Sequence, residues 1–519
     1  MDKASDKSQG YRPRKELPHP ISTSSSSSRW RRPTWPICLA FGPLAVLFTM
    51  SFHICGRLFH ANHTASSLPL AKLQSGPFFS QISRMDDLCV GVTGPTPQHA
   101  GFIGLEGDTE RTPRRSFFWY FEAEADAENA PLILTMGGGP GTTGMLNPLS
   151  GQSPCVVKEN GTIPNPNRWT ERFNLLAIDH PIGVGYSYGK HVNNSVSAAH
   201  DVYDFLQKFF QLFPHLAKNQ FVISGGSYGG IYVPNIASVI HTNNLAIARG
   251  EGPAGAIPIN LESLMLSNPF TDPMSYFRWD LHYRCAITHI YNATTCAKMY
   301  ALLPTCLEAT QLAFDRPSLE NRLAAGALCY KLNAGDTHGV FLEDVRRNCV
   351  ADGDDKIKNC FPAFAWVPEF MNDARTKEVL GIPSRLKFEA MASRVTREFH
   401  ADGDQWHQHH KLYEPLLKDG IRLFHHIGGK DANVAWPGVL SFLKLLRTPF
   451  QEAFVAAPDV PWPEGSNSTT APATLRVVGE GAGNMTYAVY DGAGHFVVSD
   501  QPALVKEFVE RWVENRPFF

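Results

Sequence analysis

The sequence of 519 residues has little net charge and lacks several patterns that would narrow its function at once. Its 47 lysines and arginines nearly balance 49 aspartates and glutamates, and the net charge of −2 argues against a nucleic-acid partner. No spacing typical of metal ligands occurs, so we predict neither a metal nor a cofactor. We expect the pairs His409 and His410, and His425 and His426, to lie at the surface. No internal repeat is evident.

The first 85 residues divide into three segments by composition. Residues 1–34 are basic and rich in serine, which predicts a disordered tail. Residues 35–55 are mostly apolar and long enough to cross a bilayer. The arginines before them favour a cytoplasmic tail, with the rest of the chain in the lumen or outside the cell. A cleaved signal peptide, giving a secreted or vacuolar protein, is the alternative. Residues 56–85 are expected to form a stem.

The most informative pattern is Gly225-Gly226-Ser227-Tyr228-Gly229, which follows the apolar run Phe221-Val222-Ile223. A short strand, a tight glycine turn and a helix from about Gly230 are typical of the G-x-S-x-G nucleophile elbow. Glycines are needed because this turn is strained and leaves little room beside the nucleophile. The pattern predicts that Ser227 is a catalytic nucleophile.

An acid and a histidine follow the serine in the chain order that this kind of elbow requires. Asp431 comes after the apolar segment 421–427, and His495 comes after the segment 486–490. Both are preceded by glycines, which suit a loop that presents one side chain into a crowded site. We predict that His495 accepts the proton of Ser227 and that Asp431 orients the imidazole.

Backbone N–H groups are available to stabilise an oxyanion. Residues 131–136 are predicted to form a buried strand that leads into Gly-Gly-Gly-Pro-Gly at 137–141. We assign the oxyanion hole to the N–H groups of Gly139 and Tyr228. A phosphate-binding loop is disfavoured, because no Lys-Ser/Thr follows the glycines.

Alternating strands and helices predict an α/β fold with a mostly parallel central sheet covered by helices on both faces. The strands are expected near 116–122, 131–136, 174–179, 220–224 and 262–267, and the helices near 197–213, 230–242 and 502–513. Residues 86–275 and 413–519 would form the catalytic domain. Residues 276–412 interrupt the alternation and are predicted to form an inserted, disulfide-rich cap.

Cysteines and glycosylation sequons favour an oxidising compartment of the secretory pathway. Of ten cysteines, two (Cys38 and Cys55) bracket the apolar segment. The other eight are disulfide candidates whose pairing the sequence leaves open: Cys89, Cys155, Cys285, Cys296, Cys306, Cys329, Cys349 and Cys360. Six N-x-S/T sequons lie at Asn62, Asn160, Asn193, Asn292, Asn467 and Asn484.

Several of these blocks, taken in order, resemble the serine carboxypeptidase family over about residues 85–519. They are G-G-P-G at 138–141, D-H-P-I-G-V-G-Y-S-Y at 179–188, the segment 201–234 with its elbow, and G-H-F-V with D-Q-P at 494–502. The resemblance implies an α/β-hydrolase fold and a catalytic triad of Ser227, Asp431 and His495.

Departures from the family pattern fall on the residues that would recognise a free C-terminus. The family's elbow reads G-E-S-Y, its glycine run begins with asparagine, and it has a further glutamate in E-x-G-P. These positions are Gly226, Gly137 and Gly151 here. In the family, these three side chains hold the substrate's carboxylate. We therefore place the substrate against Gly137, Gly138 and Gly226, without that recognition.

Three functions remain open from the sequence. The first is a serine carboxypeptidase that releases C-terminal residues from peptides through an acyl-enzyme. The second is an esterase or acyltransferase that uses the same triad on a small molecule. The third is a non-catalytic binding glycoprotein, which the intact triad disfavours. The oligomeric state is not indicated.

Overall fold

The computed structural model describes residues 78–85, 88–89, 97–349, 354–467 and 469–519, all within one compact unit. The predicted tail at 1–34 and the predicted membrane segment at 35–55 lie outside these residues, as do Cys38, Cys55 and Asn62. None of the helices in the described ranges is long and apolar enough to cross a membrane.

Sixteen strands occur among the described residues. They are β1 Ser80–Met85, β2 Gln98–Gly104, β3 Arg114–Phe121, β4 Leu132–Met136, β5 Cys155–Lys158, β6 Gly161–Pro164, β7 Asn174–Ile178, β8 Tyr188–Gly189, β9 Phe221–Gly226, β10 Leu261–Ser267, β11 Val340–Phe341, β12 Asp344–Asn348, β13 Arg422–Gly428, β14 Val460–Trp462, β15 Ala473–Val478 and β16 Met485–Tyr490.

Twelve of these strands form one mixed sheet with the order β1-β2-β3-β7-β4-β9-β10-β13-β16-β15-β14, and β8 pairs with β3. The six strands from β7 to β16 in this order are parallel. Antiparallel strands extend the sheet at both edges. The strands β9, β13 and β16 end at the same edge of the parallel part, which brings the loops after them together.

Helices cover both faces of this sheet. They are α1 Ser195–Leu212, α2 Gly229–Ala248, α3 Pro273–His282, α4 Ala293–Asp315, α5 Leu319–Cys329, α6 Asp354–Cys360, α7 Ala363–Asn372, α8 Ala374–Val379, α9 Ser393–Asp402, α10 Tyr413–Lys418, α11 Trp436–Leu445, α12 Gln451–Ala456, α13 Val497–Asp500 and α14 Pro502–Val513. Short 3₁₀ or π turns span Pro148–Gln152, Trp169–Glu171, Pro214–Lys218, Tyr283–Ile287, Tyr330–Asn333, Asp404–Trp406 and His409–Leu412.

Alternation along β4 shows how the sheet separates two apolar cores. Leu132, Leu134 and Met136 pack into the cluster that contains residues of α1 and α2. Ile133 packs into the cluster on the other face, which contains residues of α7 and α14. Successive side chains of a strand point to opposite faces, so a strand that is apolar throughout is buried on both sides. The α/β-hydrolase fold expected from the sequence is confirmed.

The sheet begins earlier than the sequence suggested. Residues 80–85, placed in the predicted stem, form the edge strand β1, with Ser80 opposite Ile103 and Ile82 opposite Gly101. The strand is S-Q-I-S-R-M and its side chains are largely exposed, so it has no apolar pattern for sequence reasoning to detect. Main-chain hydrogen bonds to β2 hold it instead.

The prediction that the histidine pairs lie at the surface was wrong. His425 and His426 lie on β13, near the middle of the sheet, and are buried on its two faces. Burial lowers the pKa of each to about 3, so both are neutral. His409 is also buried and is hydrogen-bonded to Asn235 and to the backbone of Asp404.

All eight predicted disulfide candidates are paired. The bonds are Cys89–Cys155, Cys285–Cys296, Cys306–Cys329 and Cys349–Cys360. Three of them lie within residues 276–412, the predicted cap, where several half-cystines belong to a third apolar cluster around Phe277 and Trp406. Disulfides therefore reinforce the part of the chain that has the smallest core. Among the sequons, Asn160, Asn193, Asn292 and Asn467 are exposed and Asn484 is half-buried.

Candidate active site

The serine of the G-x-S-x-G pattern lies at the turn between β9 and α2. Ser227 has a backbone φ of +56°, a left-handed conformation that costs a residue other than glycine about 1–3 kcal/mol. Its carbonyl oxygen accepts hydrogen bonds from the N–H groups of Gly230 and Phe270, both at 2.9 Å. A Cβ at Gly230 would lie 2.4 Å from the carbonyl oxygen of Phe270, so this position requires glycine. The turn presents Ser227 to a cavity.

The other two predicted catalytic residues are in contact with each other. Oδ2 of Asp431 lies 2.6 Å from Nδ1 of His495. Oδ1 of the same carboxylate accepts hydrogen bonds from the backbone N–H groups of Asn433 at 2.7 Å and Val434 at 3.0 Å. When Nδ1–H donates a hydrogen bond to this carboxylate, Nε2 is free to accept a proton. His495 lines the same cavity as Ser227, so the fold brings the three residues to one place.

The electrostatic surroundings raise the pKa of His495 above its ordinary value. Burial is the largest single influence and lowers this pKa, because it removes water from the imidazolium. The negative charge and the hydrogen bond of Asp431, together with nearby carboxylates, outweigh it. Glu343 and Asp280 add smaller contributions of the same sign as Asp431. The imidazole is therefore a stronger base than a free histidine, and it is unprotonated only above its raised pKa.

Sequence reasoning missed Asn268, which holds the acid in place. Its Nδ2 donates a hydrogen bond to Oδ2 of Asp431 at 2.6 Å, and its Oδ1 accepts one from the backbone N–H of Gly428 at 3.0 Å. The residue is completely buried. It is the first residue after β10, which pairs with β13, so its position directly after a predicted strand was the available signal.

The glycine run after β4 approaches the nucleophile turn closely. A Cβ at Gly138 would lie 2.8 Å from both Cβ of Ser227 and the backbone nitrogen of Tyr228. Gly139 follows with a φ of +109°, which also favours glycine. Tyr228 precedes the first residue of α2, where the helix dipole favours negative charge. The predicted oxyanion donors, Gly139 and Tyr228, thus belong to adjacent segments, and their role stays a prediction.

A buried carboxyl group supports the nucleophile turn from behind. Oδ2 of Asp404 accepts a hydrogen bond from the hydroxyl of Tyr228 at 2.8 Å, and Oδ1 accepts one from the N–H of Ser195 at 2.8 Å. Burial raises the pKa of Asp404, and the hydrogen bonds to its carboxylate oppose that shift. Asp404 lies within residues 276–412, so the predicted cap takes part in fixing the turn.

A β-hairpin from the predicted cap joins the loop that carries Asp431 to the loop that carries His495. The turn between β11 and β12 is hydrogen-bonded to both loops. The carbonyl oxygen of Glu343 accepts a hydrogen bond from the N–H of His495 at 2.6 Å, and the carbonyl oxygen of Leu342 accepts one from the N–H of Ala432 at 2.7 Å. Glu343 also lines the cavity. Sequence reasoning missed Glu343, because the strands of the hairpin that carries it are only two and five residues long.

The three glycines predicted to contact substrate, Gly137, Gly138 and Gly226, all line the cavity of the candidate catalytic residues. A Cβ at Gly137 would lie 2.3 Å from the carbonyl oxygen of Thr142, so the asparagine of the family pattern does not fit this backbone. Gly226 is less constrained, with the carbonyl oxygen of Ser267 at 3.3 Å from such a Cβ.

Aromatic side chains form one wall of the cavity, whose volume is about 240 Å³. Phe496 follows His495 and stacks on Phe361 with ring centroids 3.9 Å apart, and Phe364 meets it at 5.8 Å. Phe361 and Phe364 belong to the α6–α7 region of the predicted cap. This wall offers an apolar surface to a substrate side chain beside the candidate base.

Comparison with known proteins decides the family. A model of the serine carboxypeptidase family matches residues 91–515. The chain belongs to the serine carboxypeptidase family. It is therefore a serine hydrolase, and the expectation drawn from its motifs is confirmed.

Similar proteins agree with this assignment. A carboxypeptidase Y homolog A from Sclerotinia sclerotiorum is 28% identical over 430 residues, covering 80% of this chain and 73% of the relative. A carboxypeptidase Y homolog A from Arthroderma otae is 28% identical over 453 residues, covering 86% of this chain and 79% of the relative. Among solved structures, a prohormone-processing carboxypeptidase from Saccharomyces cerevisiae superposes with a TM-score of 0.70 over 83% of this chain and 96% of that one. At 19% identity this last likeness shows the fold alone.

Proposed function

We propose that this serine carboxypeptidase family member releases C-terminal residues from peptides, with Ser227 as nucleophile, His495 as base and Asp431 as the group that orients His495. The observation that carries the proposal is the 2.6 Å contact between Asp431 and His495 in the cavity that Ser227 also lines. A nucleophile, a base and an orienting acid in one cleft form the minimum set for acyl transfer.

The reaction has two halves. Oγ of Ser227 attacks the scissile carbonyl carbon while Nε2 of His495 takes its proton, and the N–H groups of Gly139 and Tyr228 stabilise the oxyanion. The C–N bond then breaks, and the leaving amine takes the proton from His495. Water, activated by the same imidazole, attacks the acyl-enzyme and releases the shortened peptide.

Hydrolysis by the purified full-length chain tests this proposal. The substrates are an activated p-nitrophenyl ester of an N-blocked amino acid and an N-blocked dipeptide, each with Ser227→Ala as the matched control. We expect turnover of both substrates and its loss in the variant. A folded wild-type protein with no Ser227-dependent turnover of either substrate would contradict the proposal.

An esterase or acyltransferase acting on a small molecule is the second candidate. The observation that favours it is the absence of Lys and Arg from the described residues that line the cavity. With no cation, and with glycine at the three positions where the family recognises a carboxylate, a free C-terminus gains little binding energy. Turnover of the ester without any release of a C-terminal residue from peptides would select this candidate over the first.

We also propose that the segment 35–55 anchors the protein and that the catalytic part faces an oxidising compartment. The four disulfides and the exposed sequon asparagines support the second half of this proposal. Extraction of membranes with alkaline carbonate tests the anchor, and digestion with an N-glycosidase tests the compartment. Release of the whole protein by carbonate would contradict anchoring, and an unchanged mobility after digestion would contradict glycosylation.

A further inference from the structure

Four residues that line the active-site cavity each have a buried polar side-chain atom with no hydrogen-bond partner in the described structure. The atoms are Oγ of Ser150, Oε1 of Gln152, Nε1 of Trp169 and Nδ1 of His426. Gln152 is 3% exposed and Trp169 is 2% exposed. Buried polar groups are paired in the great majority of cases, and an unpaired one costs about 1–3 kcal/mol. The unpaired atoms of Ser150, Gln152 and Trp169 indicate a place where a ligand supplies the missing hydrogen bonds.

The backbone around these groups is held firmly, so the arrangement is built in advance. Ser150 and Gln152 lie on the turn Pro148–Gln152, and Nδ2 of Asn165 donates to the carbonyl oxygens of Gly151 at 2.8 Å and Ser153 at 2.9 Å. Trp169 begins the short helix Trp169–Glu171 that follows. A preformed site loses less entropy when its ligand binds.

A glutamate at position 151, as in the family pattern, would collide with Val498. A Cβ at Gly151 would lie 2.6 Å from Cγ1 of Val498, so the valine occupies the space through which a larger side chain would enter. The unpaired groups of Ser150, Gln152 and Trp169 in this cavity are a neutral hydroxyl, amide and indole.

The charges along the cavity disfavour an anionic ligand. Its ionisable lining residues are Glu343, His426 and His495. His426 is neutral because burial lowers its pKa to about 3. The lining has no lysine or arginine, so above the raised pKa of His495 a carboxylate moved from water into this space would meet no cation. An unpaired buried charge costs several kcal/mol. The ionised form of Glu343 would add repulsion.

We propose that Ser150, Gln152 and Trp169 form a subsite for a neutral carboxamide on the leaving group, so that peptides ending in a primary amide are preferred to those ending in a free carboxylate. The carboxamide oxygen accepts from Nε1–H of Trp169 and Oγ–H of Ser150, and its NH₂ group donates to Oε1 of Gln152. This inference rests on the proposed function and specifies its substrate class.

The bonds that change are those of the proposed mechanism. Oγ of Ser227 forms an ester with the acyl carbon, the peptide C–N bond breaks, and the departing amino-acid amide takes the proton held by His495. Water then cleaves the ester. The terminal carboxamide is not altered, so the product is an intact amino-acid amide.

The test compares an N-blocked dipeptide as its primary amide and as its free acid at pH 7, with the p-nitrophenyl ester of the N-blocked acyl residue as reference. We expect kcat/KM for release of the amino-acid amide to exceed that for release of the free amino acid by at least tenfold. The mass of the released product shows that the peptide bond, and not the terminal amide, is cleaved.

Two substitutions each remove the polar atoms of one side chain of the proposed subsite. Gln152→Leu and Trp169→Phe should each lower the ratio of amide to ester kcat/KM by at least fivefold, since each deletes one hydrogen bond to the carboxamide. Gln311→Leu, the same change at an exposed glutamine of α4, serves as the matched control and should leave that ratio unaltered. Circular dichroism verifies that each variant is folded.

The two possible failures are distinguishable. Loss of all Ser227-dependent hydrolysis of the ester would contradict the proposed function. Normal ester hydrolysis with the free acid preferred to the amide, or with an amide-to-ester ratio that neither Gln152→Leu nor Trp169→Phe lowers, would overturn the carboxamide subsite alone.

Discussion

Replacing Asn268 by leucine tests whether the acid of the site must be held from behind. The substitution keeps the size of the side chain and removes both of its hydrogen bonds, to Oδ2 of Asp431 at 2.6 Å and from the N–H of Gly428 at 3.0 Å. Asp431 would keep its two backbone donors and its contact with His495, but its Oδ2 would lose one of its two partners. The imidazole would then be less firmly oriented.

The size of the effect follows from the bonds that are lost. A hydrogen bond to a charged group contributes about 1.5–3 kcal/mol, and about 1.4 kcal/mol corresponds to a tenfold change in rate. We therefore expect kcat to fall about 10- to 100-fold while KM changes little, because Asn268 does not line the cavity. Unpaired N–H and carboxylate groups should also lower the free energy of unfolding by about 2–6 kcal/mol.

The assay is the pre-steady-state rate of acylation with the p-nitrophenyl ester, measured beside thermal unfolding. Asn174→Leu is the matched control: this buried asparagine on β7 accepts hydrogen bonds from Tyr120 and the N–H of Ala123 and donates to two carbonyl groups. It should lower stability at least as much and leave kcat unchanged. If Asn268→Leu stays folded and keeps kcat within threefold of wild type, the positioning argument is refuted.

Two further predictions concern the cavity. Burial raises the pKa of Glu343, and its ionised form in turn raises the pKa of His495. Glu343→Gln removes that charge, so the imidazole loses its proton at a lower pH and the acid limb of the kcat/KM profile should move to lower pH. An unmoved or upward-shifted limb would contradict this. Gly138→Ala would place a methyl group 2.5 Å from the carbonyl oxygen of Gly226 and 2.8 Å from Cβ of Ser227; ester hydrolysis should fall more than 100-fold, and near-normal turnover by the folded variant would show that the two segments separate more easily than the structure implies.

That Ser227, Asp431 and His495 come together could be foreseen because the signals are local. Each of the three residues follows an apolar strand and one or more glycines, a pattern that a short stretch of sequence reveals. The chain order of Ser227, Asp431 and His495 then restricts which acid and which histidine can be the partners of the serine. The parallel strands that carry them are apolar along their length, since they are buried on both faces. Such strands are the easiest elements to recognise in a sequence.

What was missed depends on contacts between distant parts of the chain. Asn268 contacts Asp431 across 163 residues, and Asp404 contacts Tyr228 across 176. Neither position has a motif, because a buried asparagine or aspartate is identified by the partner that it meets in space. The edge strand β1 was missed for a related reason, since its place in the sheet depends on main-chain pairing with β2.

The buried histidines show how composition can mislead. His425 and His426 were expected at the surface, although they occur in the apolar run I-R-L-F-H-H-I, most of which belongs to β13. The run identified the strand correctly. Since neighbouring residues of a central strand face opposite covered sides of the sheet, both rings had to be buried.

The most direct test of the central claim is covalent labelling of the full-length chain by a fluorophosphonate, followed by mass spectrometry of its peptides. The account predicts one adduct, on Ser227, which forms in the native protein, is absent after denaturation before exposure to the probe, and is lost in Ser227→Ala. A folded protein that gives no adduct, or an adduct that persists at another residue in Ser227→Ala, would contradict the assignment of Ser227 as the nucleophile.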